Sequence, residues 1–154
     1  GGAGGPPPEG ALFAPGEKDP VRVPFAAKVV NGVGFVLLDD SSGTVTREQA
    51  ASVRVELAKG LPVVLCCHVP FYSDGILAAY RACAPASETD VTVARQRTDG
   101  VTQEFFASLR KEPLLKGILA GHLGISAEDA FSPTAMQYVV GANTNCAGEE
   151  VLFA

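Results

Sequence analysis

Three short runs in this chain are apolar almost from end to end. They are Val33–Leu38 (VGFVLL), Val63–Cys67 (VVLCC) and residues 114–121 (LLKGILAG). Side chains alternate between the faces of a strand, so a run without polar alternation describes a strand with no wet face. Strands of that kind need cover on both sides, which points to a sheet flanked by helices. Between the first two runs lies TREQAASVRVELAKG, residues 46–60. Thr46 suits an N-cap and Gln49 completes a capping box three residues on. Ala50, Val53 and Leu57 fall on one stripe, and Gly60 is the stop. Strand, helix, strand with a short linker implies a parallel crossover.

The rest of the chain extends this pattern. Asn31-Gly32 separates two β-rich runs, the sign of a two-residue hairpin. Residues 72–100 are polar and irregular, with a short helix at 76–83. A further helix is expected over 101–111, with Phe105, Phe106 and Leu109 inward and Pro113 ending it. TAMQYVVGAN and EEVLFA read as two last strands, antiparallel to their neighbours. The fold class is therefore α/β or α+β, with a mixed sheet flanked by helices.

Composition narrows the classes. Residues 1–20 are rich in Gly and Pro and read as a flexible leader, with order beginning near Val21. Apolar residues make up 47% and charged residues 19%, which is enough to build a core. No window approaches the ~18 uninterrupted apolar residues of a membrane span. The net charge is −5 and no Lys/Arg cluster is present, so no nucleic-acid surface is expected. No signal peptide is visible, which favours a cytoplasmic protein. Of the four cysteines, Cys66 and Cys67 are adjacent on a strand and point to opposite faces. With no C-x-x-C pair, free thiols are favoured over a disulfide framework or a zinc site.

The chain has only two histidines, and each ends one of the buried strands: VVLCC runs into His68, and GILAG runs into His122. Ligands collect beyond the carboxyl ends of strands in such sheets, and neutral imidazole is the commonest metal ligand. If the two strands are neighbours, both rings converge at one edge, with Asp39 and Asp40 at the end of a third strand nearby. The alternative is two hydrogen-bonded structural histidines lying far apart. No G-x-S-x-G elbow or P-loop is present. Cys67 precedes His68, but adjacent strand residues face apart, which argues against a Cys/His catalytic pair.

These motifs resemble those of the calcineurin-like metallophosphoesterases. GLPVVLCCHVPFY is similar to that family's fourth motif, and GILAGHLGI to its last, Gly-His-x-His. NGVGFVLLDDSSGTVTREQ resembles the segment before the fourth motif, and AEDAFSPTAMQYVVGAN the strands after the last. The likeness spans residues 28–154, so 21–154 reads as a partial calcineurin-like phosphoesterase domain. The resemblance implies half of an α/β/β/α sandwich. It implies a phosphate-ester substrate and two divalent ions (Mn, Fe, Zn or similar) that activate a bridging hydroxide for in-line attack on phosphorus. His68 and His122 map onto two ligands of one ion. Gly124 stands where a histidine serves the other ion, and Tyr72 either borders the substrate by position or, as is commoner, is a packing aromatic.

The family's Asp-x-His, Gly-Asp-x-x-Asp and Gly-Asn-His-Asp/Glu motifs do not occur here. The expectation is a hydrolase fragment with at most one partial metal site, inactive alone. The alternative is a non-catalytic binding or interaction module of the same fold. Half of a two-sheet core also leaves an apolar sheet face open to self-association.

Overall fold

The computed structural model describes residues 24–83, 91–141 and 150–152. The Gly/Pro-rich leader and Cys146 lie outside the described residues. β1 (Phe25–Val30) and β2 (Val33–Leu38) form an antiparallel hairpin. Its turn residues, Asn31 and Gly32, have φ of 51° and 79°. These are the two left-handed residues of a turn whose twist matches that of the strands.

A loop leads from β2 to α1 (Arg47–Leu57). Thr46 Oγ1 accepts the Gln49 N–H at 3.1 Å, and Gln49 Oε1 accepts the Thr46 N–H at 2.9 Å. The other end of the same Gln49 amide donates to the carbonyls of Pro24 and Asp39, at 2.9 and 2.7 Å. One buried side chain thus caps the helix and anchors it to both ends of the hairpin. Ala50, Val53 and Leu57 face the core as the stripe predicts. Next come β3 (Val63–Cys67), α2 (Asp74–Cys83), α3 (Val91–Gln96), α4 (Gly100–Leu109), β4 (Leu115–Ala120), β5 (Ala127–Ala130) and β6 (Met136–Val139).

The strands form a six-stranded mixed sheet in the order β1-β2-β3-β4-β6-β5. β2, β3, β4 and β6 run parallel, and the two edge strands run antiparallel. The protein is therefore mixed α/β. α3 was not foreseen, and β5 opens the stretch AEDAFSPTAMQYVVGAN, in which the resemblance alone implied strands. β6 also corrects an expectation, because it lies parallel to β4. The chain reverses after β4, runs along the sheet edge as β5 and reverses again into β6, which fills the place between them. Glu150–Leu152, within the expected last strand, are not strand.

The register sorts side chains by face. Val36, Leu38, Leu65 and Ile118 point to one face, where Val53, Leu57, Phe105, Phe106 and Leu109 of α1 and α4 bury them. Phe71 stacks into this core with its ring centroid 4.3 Å from that of Phe106. The opposite face is only half covered. Phe35, Cys66, Leu119, Met136 and Tyr138 are partly exposed there and Leu37 is exposed, although Val64 is buried. The apolar run of β2 thus has one dry face, not two.

The start of α4 is fixed by a short relay. Asp99 is its N-cap and accepts the Thr102 N–H at 2.9 Å. The buried Thr102 hydroxyl donates to the same carboxylate at 2.6 Å and accepts the Val45 N–H at 2.9 Å. These bonds, the hydroxyl first, hold the Asp99 carboxyl below its ordinary pKa. A depressed carboxyl adds stability that is present above its unfolded pKa and lost as pH falls through the folded value. Asp99→Ala should therefore lower stability by about 1 kcal/mol at neutral pH. In urea titrations its deficit against the wild type should shrink once the pH falls below the carboxylate range. A deficit independent of pH would mean that the charge contributes nothing.

Candidate metal centre

β3 and β4 are parallel neighbours, with Cys66 beside Leu119. Their carboxyl ends therefore open at the same edge. His68 follows β3 directly, and His122 follows β4 after Gly121. His68 Nε2 lies 3.1 Å from His122 Nδ1. The ring centroids are 4.9 Å apart and the ring planes cross at 71°. The two imidazoles are brought together, so the alternative of two distant structural histidines loses its defining feature.

The backbone of His68 is held from beneath. Asp40, 1% exposed, accepts the N–H of His68 at 2.8 Å and that of Val69 at 3.0 Å, both on Oδ1. Its Oδ2 is buried without a hydrogen-bond partner among the described residues. Burial pushes the Asp40 carboxyl above its ordinary pKa, against the opposing pull of the Val69 and His68 N–H groups. The His68 carbonyl in turn accepts the Gly121 N–H at 3.1 Å, tying the end of β3 to the end of β4. Asp39 instead closes its own loop by accepting from the Ser41 N–H and hydroxyl.

His122 has a φ of 65°. The Leu123 N–H reaches back to the Gly121 carbonyl at 2.7 Å, closing a γ-turn with His122 at its centre. A non-glycine residue in this region is uncommon and strained. The ring is gripped at its far side too, where His122 Nε2 lies 2.7 Å from Thr92 Oγ1 of α3.

Two buried amides fix the chain beyond His68. Gln137 accepts the Phe71 N–H at 2.7 Å and donates to the Phe71 carbonyl at 2.8 Å. Gln96 accepts the Tyr72 N–H at 2.7 Å and donates to the Pro70 carbonyl at 3.0 Å. Each glutamine imitates a strand neighbour for a stretch that has none. Only a polar residue inside an apolar run, as in MQYVV, hinted at this.

Tyr72 is half-buried and packs against the core, with the Arg97 guanidinium 5.0 Å above its ring. Its hydroxyl donates to Asp74 at 3.0 Å. These are packing partners, and neither histidine is among them. Cys66, Cys67 and Cys83 are free thiols. Burial raises Cys67 well above its ordinary pKa and also raises Cys66, so both stay protonated. The Cys67 thiol donates to the Val69 carbonyl at 3.3 Å.

Gly124 has a φ of 68°, and a Cβ built there meets nothing within 4 Å. The segment after β4 is thus turned, not extended. The even spacing of i and i+2 side chains along a strand does not apply to it. Among the described residues, no three His, Cys, Asp or Glu side chains are grouped to hold an ion. No described helix is long and apolar enough to cross a membrane. No protein-family model matches this sequence, and no curated protein matches it.

Gly43 makes a useful contrast with Gly124. Its φ is 84°, and a Cβ there would fall on the Thr92 carbonyl. Gly124→Ala should lose about 1–2 kcal/mol from backbone conformation alone. Gly43→Ala should lose clearly more, because α3 must also move. Urea midpoints of the two variants check this, and equal losses would contradict the packing of the 40–43 loop on α3.

Proposed function

We propose that this chain carries half of the metal site of a phosphoric ester hydrolase of the calcineurin-like type. The observation that supports this is the convergence of His68 Nε2 and His122 Nδ1 at the shared carboxyl edge of β3 and β4. Zinc–imidazole bonds measure ~2.0–2.1 Å, so two donors 3.1 Å apart can reach one ion with an angle near ~100° between them. That angle lies between the octahedral and tetrahedral values, so the nitrogens present suit one ion. A second ion is not served, because Gly124 offers no donor atom. The Asp40 bonds set the backbone of His68 and the γ-turn that of His122, so both strand ends are placed without help from an ion.

When bound, a divalent ion here supplies an activated water and offsets charge on phosphate oxygens. Its remaining ligands would come from a polypeptide segment bearing the Asp-x-His, Gly-Asp-x-x-Asp and Gly-Asn-His motifs. The half-covered sheet face, with Phe35, Leu37, Cys66, Leu119 and Tyr138, suits the packing of a second sheet in an α/β/β/α sandwich. A second reading, a non-catalytic binding module of this fold, draws on the missing donor at Gly124.

Metal binding and turnover test this directly. The 154-residue chain should bind one Zn²⁺ or Mn²⁺ weakly in calorimetry, and His68→Ala or His122→Ala should abolish the binding. It should not hydrolyse p-nitrophenyl phosphate or its diester. Co-expression with a segment bearing the missing motifs should produce hydrolysis that depends on both histidines. Metal uptake indifferent to both substitutions would overturn the proposal. Stoichiometric uptake without hydrolysis in the co-expressed pair would favour the binding module.

A further inference from the structure

His68 and Thr92 both contact the ring of His122, and one loop stands behind both histidines. Asp40 opens that loop and holds the backbone of His68. The Gly43 N–H closes it on the Asp40 carbonyl at 2.7 Å. Gly43 then lies flat against the backbone of Thr92, leaving no room for a Cβ between them. Arg95, one turn along α3, donates to the Ser42 carbonyl at 3.3 Å. α3 is thereby seated on the loop, and Thr92 Oγ1 is delivered to His122 Nε2 at 2.7 Å.

A neutral imidazole carries its proton on one nitrogen and a lone pair on the other. The nitrogen facing His68 is Nδ1. For Nδ1 to offer a lone pair there, the proton must sit on Nε2, where the Thr92 hydroxyl can accept it. We infer that Thr92 is a positioning residue for His122: it accepts the Nε2–H, and so fixes the ring and turns the Nδ1 lone pair toward His68. Metal-binding histidines are commonly held in this way, through the ring nitrogen that does not bind the metal. Thr92 would act through His122 and not as a ligand. The consequence for metal affinity rests on the proposed hydrolase half-site, whereas the ring state does not.

The ring state can be read in the chain as it stands. Long-range ¹H–¹⁵N spectra at a pH where both imidazoles are neutral should show the His122 proton on Nε2. Thr92→Ser should keep that pattern, and Thr92→Val should mix the two tautomers. A wild-type His122 protonated on Nδ1, or a Thr92→Val spectrum identical to wild type, overturns the inference. A wild-type His122 protonated on Nδ1 overturns the inference even if Thr92→Val does not fold. In Zn²⁺ titrations Thr92→Val should bind about 10–100-fold more weakly, with Thr92→Ser restoring affinity. Equal affinity in wild type and Thr92→Val again overturns the role of Thr92. If neither protein binds Zn²⁺, the half-site fails, and the spectra alone decide the role of Thr92.

Discussion

Two N–H groups at the end of β3 converge on a single carboxylate oxygen of Asp40, and the arrangement of the site depends on that convergence. A strand that ends in a parallel sheet leaves its last donors without a partner, and a buried orphan donor costs about 1–3 kcal/mol. Asp40 meets two of them at once and thereby sets the direction in which His68 leaves the sheet. The arrangement carries its own cost, since Oδ2 is buried without a partner among the described residues and desolvation opposes the charge. Charged hydrogen bonds offset part of that cost and hold their geometry more tightly than neutral ones. The same loop continues to Gly43 and α3, so its position governs His122 as well.

His122 is held by a different device, its own backbone. A φ of 65° in a γ-turn is a conformation that L-residues avoid, at a cost of about 1–3 kcal/mol. It persists because the surroundings fix it: the Gly121 N–H bonds the His68 carbonyl, and Thr92 holds the ring. An extended chain would carry the imidazole on along the strand direction. The turn folds it back toward β3, where the rings come within hydrogen-bond distance. Strain in the backbone is thus what converts two strand ends into one site.

Local rules made much of this fold legible. Asn31-Gly32, Thr46 with Gln49, the α1 stripe and Gly60 each act within a few residues, and each behaves as its chemistry dictates. The meeting of His68 and His122 was legible too, because strand direction and adjacency carry both to one edge. Other features depend on partners distant in sequence. Gln137 and Phe71 are 66 residues apart, and nothing local marks either as a partner of the other. β5 is only Ala-Glu-Asp-Ala, with no β-branched residue, and it exists as a strand because β6 pairs with it. β2 looked dry on both faces because apolar composition does not say how much cover the second face receives.

Gly124 is the point where conformation and chemistry separate. Its φ of 68° gives a sufficient reason for glycine. Yet His122, two residues earlier, holds an imidazole at nearly the same φ, and the space around a Cβ at 124 is open. Space around the position therefore does not exclude a side chain, although the backbone would be strained by one. What glycine leaves out at 124 is a side chain, and with it any donor atom next to the two histidines. His68 Nε2 and His122 Nδ1 lie 3.1 Å apart, and position 124 brings no side chain beside them. The nearness of the two imidazoles is built into the fold by Asp40, the γ-turn and the β3–β4 pairing, and Gly124 adds no donor to it.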